Sequence, residues 1–372
     1  MIYAIVCEFN PFHHGHQYLL KSLPKKQGDY TVCIMSGSFV QRGEPAAFDK
    51  WSRAAAAILG GADLVLELPI PYVLSDGNRF AAMGVRLAAA LGQPVTMAFG
   101  TEAEDLSGLE RLAFLKEQEL SAPLRSFLDL GFSYGEARQR AMEQLLPQES
   151  ALLRSPNNLL AYGYIKEAKK HNLPTLGIQR SAPHDGAPIG NMASASYIRA
   201  HRDQFDTFCP FPQGPALDLR AAEVGLLSLL KTRSIEQLRA CANIGEGLEN
   251  RIAASLTKEN SLQGLYDAIK TKRYSHAKLR RAVMSCALEL PKELPLLPPP
   301  YLRVLALGSK GRALIKESKP MIPFAMSGKE CEKIAPALFA AERKATDLWY
   351  SWCEKPAPAG EDYRRGILRI FE

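Results

Sequence analysis

Several things are missing from this 372-residue chain, and each absence removes a class of protein. Its seven cysteines, at positions 7, 33, 209, 241, 286, 331 and 353, contain no C-x-x-C pair, so neither a disulfide framework nor a dithiol centre is expected. Several lie in apolar runs, and reduced core thiols in a cytoplasmic protein are the natural reading. No hydrophobic run is fit to span a bilayer: the longest, at 54–74, is broken by Asp63, Glu67 and two prolines, so no membrane partner is expected. A basic leader is lacking too, because Ile2-Tyr3-Ala4-Ile5-Val6 enters a strand pattern at once. Internal repeats and long low-complexity tracts are absent. What remains is 47% hydrophobic and 23% charged, ordinary for a globular fold, and the length favours two domains. A formal charge of +7 favours an anionic partner.

Apolar runs at 2–7, 30–35, 64–68, 95–99 and 175–179 predict strands. Helical patterns alternate with them at 17–23, 50–59 and 79–91, and several times between 106 and 170. This alternation predicts an α/β fold with a doubly wound parallel sheet and a ligand at the carboxyl ends of its strands. Near residue 205 the character changes. Cys209-Pro210-Phe211-Pro212-Gln213-Gly214-Pro215 reads as a linker, and helical patterns follow at 221–230, 235–240, 248–254, 262–269 and 277–288. The expected division is therefore 1–205, a Rossmann-like domain, and 206–372, a mainly α-helical domain. The apolar run at 301–307 and a helix around 335–352 are placed in the second.

The first strand leads into Cys7-Glu8-Phe9-Asn10-Pro11-Phe12-His13-His14-Gly15-His16 and then Gln17-Tyr18-Leu19-Leu20. A helix N-terminus after a parallel strand offers unpaired N–H groups and a partial positive charge, which suits phosphate. Gly15 lets backbone approach a ligand, and His13 and His16 are placed to donate to oxygens that gain charge. His14 is read as pointing away. A metal site on these histidines would need further ligands, and those at 171, 184, 201 and 276 follow no ligand spacing, so no metal site is assigned. The segment resembles the HxGH signature of the nucleotidyltransferase superfamily, whose members attack the α-phosphorus of a nucleotide and release pyrophosphate.

Other candidates lie at the ends of the later strands. Ser36-Gly37-Ser38 opens a glycine-containing loop, either ordinary surface or a mobile lid over substrate. Asp49 precedes the helix at 50–59 and is either its N-cap or a carboxylate facing the site. Gly100 follows the fourth run. Asn157 and Asn158, after Ser155-Pro156, are either capping residues or amides that read a purine edge. Arg180 ends the fifth run, where a guanidinium pairs with phosphate or stacks on a base. Ser194-Ala195-Ser196-Tyr197-Ile198-Arg199 looks like the second superfamily signature. By that likeness the hydroxyls of Ser194 and Ser196 hold the β- and γ-phosphates, and Arg199 offsets charge on the leaving pyrophosphate. Ala193 and Ala195 depart from the hydroxyl-rich pattern usual there. In the helical part, Lys270, Lys272, Arg273, Lys278, Arg280 and Arg281 surround Tyr274, which is either a solvated face or a platform for an RNA backbone and an unstacked base.

With these residues assembled, the chain resembles the bacterial tRNA(Met) cytidine acetate ligase family. The likeness rests on the residues from Cys7 to His16, on Ser36-Gly37-Ser38-Phe39-Val40-Gln41-Arg42-Gly43-Glu44-Pro45, Asp49-Lys50-Trp51 and Gly61-Ala62-Asp63-Leu64, and on the Asn157, Arg180, Ser194 and Arg273-Tyr274 segments; it runs to about residue 320. The resemblance implies an enzyme that uses ATP, with magnesium, to convert acetate to acetyl-adenylate, and that then acetylates N4 of the wobble cytidine of elongator tRNA(Met). It implies an ATP site from Cys7 to Leu20 with Gly100, Asn157 or Asn158, and Arg180; catalysis by His13, His16 and Arg199; and an acetate pocket near Ser36, Gly37, Ser38 and Asp49. Two alternatives remain, a small-molecule adenylyl- or cytidylyltransferase and a non-catalytic RNA-binding protein with the same shell. Neither accounts for both the intact histidines and the basic helical part.

Overall fold

The computed structural model describes residues 1–180, 188–271 and 274–371. Its strands are β1 (Ile2–Cys7), β2 (Tyr30–Ser36), β3 (Phe39–Val40), β4 (Glu44–Pro45), β5 (Leu64–Leu68), β6 (Val95–Thr101), β7 (Thr175–Gln179), β8 (Leu302–Leu307), β9 (Phe324–Ala325) and β10 (Leu368–Arg369). The five runs read as strands are all present and all mutually parallel, in the order β5-β2-β1-β6-β7. The order reverses at β1, with β2 on one side and β6 on the other. Such a reversal opens a crevice at the carboxyl ends of the flanking strands, where ligands of doubly wound sheets bind.

Strand residues alternate between two cores, as a sheet covered on both faces requires. Ile2, Ala4 and Val6 of β1 join Val32, Ile34, Leu64 and Leu66 on one face, under the helices Gly77–Ala89 and Pro156–Lys170. Tyr3 and Ile5 join Cys33, Met35 and Val65 on the other, under His14–Lys21 and Lys50–Leu59. The helices Leu219–Lys231, Ile235–Ala240, Leu248–Leu256, Leu262–Ile269 and His276–Leu288 form the expected helical unit, but its core also takes in Phe39, Trp51, Ile70 and Leu74.

The sheet crosses the division expected at residue 205. β8, from the far end of the chain, pairs antiparallel with β5, and β10 and β9 add to β8 in parallel. The apolar run at 301–307 thus completes the first sheet instead of belonging to the helical unit. Nor does the linker hang free: Leu217 N–H donates to the Ala47 carbonyl at 2.9 Å, and Gln213 to the Phe12 carbonyl at 2.8 Å.

What fastens this return is a cluster of buried charges. Lys50 Nζ lies 2.7 Å from Glu67 and 2.8 Å from Asp362, and Arg303 reaches the same two carboxylates at 2.8 and 2.6 Å. Burial opposes the Asp362 charge, but Arg303 and Lys50 outweigh it and hold the carboxyl at about 2. Glu342, beside Glu67, is pushed well above the carboxylate range by burial and by its neighbour's charge. Among the described residues no helix is long and apolar enough to cross a membrane, and all seven cysteines are free. Replacing Arg303 with Met should leave Glu67 and Asp362 sharing one cation and lower unfolding free energy by about 3–5 kcal/mol, the scale for breaking a buried pair. A urea titration giving a loss below about 1 kcal/mol would mean that water reaches these charges.

Candidate active site

The loop after β1 is built around its own side chains. Phe9 takes a left-handed backbone, φ 47°, and its buried ring lies 4.9 Å from those of Phe12 and His16. The Asn10–Pro11 bond is cis. Asn10 accepts the Ala47 N–H at 2.7 Å, and its carbonyl accepts from Arg199 at 2.7 Å. The helix His14–Lys21 then starts with a reciprocal cap: His13 Nδ1 accepts from Gly15 N–H at 3.1 Å, and His16 Nδ1 from His13 N–H at 3.3 Å. With both Nδ1 atoms accepting, each neutral ring carries its proton on Nε2. The rings stack with centroids 3.7 Å apart. Burial is the main cause that pushes His13 down to about 3, with Arg180, His14 and Arg199 adding to it. His16 is lowered well below its ordinary value, again by burial first and by His13 and Arg180 after it. Both are therefore neutral donors at pH 7. A Cβ on Gly15 would stand 3.0 Å from His13 Cε1, so the glycine makes room for the neighbouring imidazole.

A cleft opens beside this pair. It is lined by His13, Gly15, His16, Tyr18 and Leu19 from the first loop and helix, Gly100 from β6, Ile178, Gln179 and Arg180 from the end of β7, and Met192 and Ala193. It lies at the carboxyl edge of β1, β6 and β7, beside the reversal of strand order. Ile178 and Gln179 were not anticipated from sequence, although they lead into Arg180, and Met192 and Ala193 open the second signature segment without having been given a role. Asn157 and Asn158 do not line the cleft. Asn158 is buried, and its Oδ1 accepts from Thr101 Oγ1 at 2.8 Å and Glu102 N–H at 3.0 Å, tying helix Pro156–Lys170 to the end of β6. Asn157 donates to Glu102 at 2.5 Å, Ser155 donates to the same carboxylate, and Arg180 Nε stands 3.9 Å from it. Ser194 caps its short helix by accepting from Tyr197 N–H at 3.1 Å, and Ser196 accepts from Arg199 at 3.3 Å. Burial lowers the pKa of both Arg180 and Arg199.

The start of the loop after β2, expected as either ordinary surface or a mobile lid, is packed into the molecule. Ser36, Phe39 and Ser38 are buried, Ser38 Oγ lies 3.2 Å from Thr346 Oγ1 in the C-terminal helix Pro336–Ser351, and Gly37 lies directly over Glu67. Asp49 takes the capping alternative. It accepts from Trp51 and Ser52 N–H at 3.0 and 3.1 Å, and its carboxylate is 3.6 Å from Arg365 and faces Gly214. The residue missed here is Arg53, fully buried, which donates to the Glu8 carbonyl at 2.5 Å, Ser36 at 3.2 Å, Phe48 at 3.0 Å and also Gly37.

The basic run is less open than its composition implied. Lys272 and Arg273 lie outside the described residues. Tyr274 is buried, donates to Glu246 at 3.0 Å, and has Lys278 Nζ 4.5 Å above its ring, so it offers no bare stacking face. Arg281 is buried and donates to the Gln41 carbonyl at 3.4 Å, and Arg280 pairs with Glu44. These two turn inward because the helix His276–Leu288 packs that side against the first half. Lys278 is exposed, and Lys270 donates to the Thr271 carbonyl at 2.7 Å.

Two neutral imidazoles and the Arg180 guanidinium thus line a cleft suited to a polyanion with a flat apolar group, and Arg199 is held on the Asn10 carbonyl of the same loop. Comparison with known proteins agrees. Residues 1–362 match the family model described as HIGH Nucleotidyl Transferase. A tRNA(Met) cytidine acetate ligase of Thermoanaerobacter sp. (strain X514) is 30% identical, covering 99% of this chain and 100% of the relative. One of Pediococcus pentosaceus is 34% identical over 95% and 97%. Crystal structures of Thermotoga maritima TmcAL superpose over 100% of both chains, with TM-score 0.90 and 27% identity for the apo form and 0.87 and 26% for one bound with alpha-thio ATP. The chain belongs to the HIGH nucleotidyl transferase family and, within it, to the tRNA(Met) cytidine acetate ligases.

Proposed function

We propose that this chain joins acetate to ATP as acetyl-adenylate and then acetylates N4 of the wobble cytidine of elongator tRNA(Met). The observation that carries this reading is that the likeness to the acetate ligases runs over the whole chain, sheet and helical unit alike. A small-molecule adenylyltransferase would share the first half alone.

In the first step an acetate oxygen attacks the α-phosphorus, the bond to the β-phosphate breaks, and pyrophosphate leaves. Acetate and triphosphate repel each other, so the site must neutralise charge and align the attack. The Nε2–H groups of His13 and His16 stabilise the α-phosphoryl oxygens, and because burial keeps both rings neutral they act as hydrogen-bond donors and not as acids. Arg180 and Arg199 offset the phosphate charge, while Asn157 and Asn158 hold the end of β6, where Glu102 faces Arg180 from the end of the neighbouring β7. In the second step the cytidine amine attacks the acetyl carbon, the bond to AMP breaks, and the amine loses a proton; this requires the base unstacked. Among the described residues no group of three or more His, Cys, Asp or Glu side chains could hold a metal ion. A magnesium ion would enter on the triphosphate, held by phosphate oxygens and water.

The direct test supplies ATP, labelled acetate and elongator tRNA(Met) and follows label into N4-acetylcytidine; no label in that nucleoside refutes the reading. His16→Ala should lower acetate-dependent pyrophosphate release at least about 100-fold, the scale of one transition-state donor, with an unchanged circular dichroism spectrum. Near wild-type release would remove His16 from the mechanism. Arg180→Ala should weaken ATP binding by about tenfold or more in calorimetry, the scale of a charge-assisted hydrogen bond; unchanged affinity with a lowered melting temperature would make Arg180 structural. For the RNA, Lys270→Ala with Lys278→Ala should flatten the slope of log affinity for tRNA against log salt by about 1–2. An unaltered slope would leave these lysines as a solvated face.

A further inference from the structure

A side chain of the linker touches the histidine loop at a point that no step above uses. The segment from Cys209 to Pro215 is stiffened by Pro210, Pro212 and Pro215, and it is stitched to the start of helix Lys50–Leu59. Asp49 N–H donates to the Pro215 carbonyl at 3.4 Å, Leu217 N–H to the Ala47 carbonyl at 2.9 Å, and Phe48 bridges Ala216 in antiparallel fashion. Gly214 lies against the same helix start, where a Cβ would stand 2.8 Å from Asp49 Oδ2 and 3.1 Å from Ser52 Cβ. On the other flank the Phe211 ring sits 6.1 Å from that of buried Phe12.

Gln213 is thereby fixed between two anchored neighbours, and its Nε2 donates to the Phe12 carbonyl at 2.8 Å. Its Oε1 is buried without a hydrogen-bond partner among the described residues. Only the NH2 end of an amide can meet a carbonyl, so this one bond decides which way the side chain is turned. The Phe12 carbonyl belongs to the same peptide unit as the His13 N–H, and that N–H donates to His16 Nδ1 at 3.3 Å. The unit is planar, with its C=O and N–H pointing in opposite directions, so a side chain that fixes one end fixes the other. A hydrogen bond accepted by the carbonyl also polarises the N–H and makes it a better donor. At 3.3 Å the bond to His16 is long, and a tilt of the plane would break it.

We propose that Gln213 is a positioning residue for acetate activation: by holding the Phe12–His13 peptide unit, it keeps His16 Nδ1 as an acceptor and the Nε2–H aimed at the α-phosphoryl oxygens. The inference rests on the role given to His16 above. It adds to the first step a residue from outside the parallel strands, on the segment that leads into the helical unit.

Two variants test it. Gln213→Leu keeps much of the bulk and removes the donor, whereas Gln213→Glu makes the donor depend on pH. An ionised carboxylate cannot donate and repels the carbonyl it faces; once protonated it donates again. In Gln213→Leu the kcat of acetate-dependent ATP–pyrophosphate exchange should fall about tenfold, with KM for ATP changed by less than about twofold. Nitrogen-15 spectra of labelled histidine should show His16 divided between its two tautomers, where the wild type carries the proton on Nε2 alone. In Gln213→Glu the exchange rate relative to wild type should rise as pH falls from about 8 to about 5, towards the ordinary carboxyl range. The same ratio for Gln213→Leu should stay flat.

Wild-type exchange in Gln213→Leu, or a His16 tautomer that stays unmixed there, overturns the proposal and leaves Gln213 as a fastening of the linker. If Gln213→Leu does not fold, Gln213→Glu decides within one protein, and a ratio that ignores pH overturns the proposal too. The tautomer can be read without any activity. A wild type that lacks acetate-dependent exchange therefore refutes the proposed function, while the His16 spectrum still decides this inference.

Discussion

Parallel strands that stop at a ligand site leave their last carbonyls pointing at each other without amide partners, and a buried carbonyl left unpaired costs about 1–3 kcal/mol. In this chain one side chain meets that need at β1 and β2 together. Arg53 rises from helix Lys50–Leu59 and donates to the carbonyls of Glu8, Ser36, Gly37 and Phe48, with burial lowering its pKa to about 10. The loop that bears His13 and His16 starts at one of these carbonyls, and the wall of the substrate side starts at two others. Three residues earlier on the same helix, Lys50 enters the charge cluster of Glu67, Arg303 and Asp362. A single helix therefore connects the ends of the central strands to the last part of the chain, and the geometry of the cleft depends on both of its buried cations.

The histidine pair shows how such a frame affects chemistry. Each ring is oriented by a backbone N–H of its own short loop, and each is kept neutral by burial that the surrounding aromatic rings enforce. The cap of the first helix and the proposed donors to phosphate are the same atoms' neighbours on the same rings. Fold and function are in this respect one arrangement, because a hydrogen bond to Nδ1 fixes which nitrogen faces the ligand.

Much of the fold was legible in the sequence. The five parallel strands follow from short apolar runs, and most helix limits of the second half agree to within a residue or two with their apolar periodicity. What periodicity could not supply was partnership. The run at 301–307 looks like a strand, but nothing local says that its neighbour is β5, more than two hundred residues earlier. The same limit applies at the site. Asp49 and Asn158 satisfy a capping rule and a ligand rule equally well, and only the location of Arg365, Thr101 and Glu102 decides between them. Tyr274 and Arg281 lie in a dense basic run, yet their side of the helix is the one that meets the rest of the molecule. Arg53 carried no signal at all, since a buried arginine among alanines is recognisable only from the carbonyls it meets.

The antiparallel insertion of β8 has a consequence for the chain during its synthesis. β5 would be an edge strand without it, buried on both faces yet open along one side, which is the arrangement that recruits other chains. That side stays open from the time Leu68 leaves the ribosome until Leu307 does, a wait of tens of seconds at about 5–20 residues per second. The nascent protein must pass this interval with a nearly finished nucleotide-binding sheet whose outer edge has no mate. Completion of the catalytic half is therefore a late event, and a chain ended by a stop codon or altered by a frameshift before Leu302 would keep the outer edge of β5 unpaired.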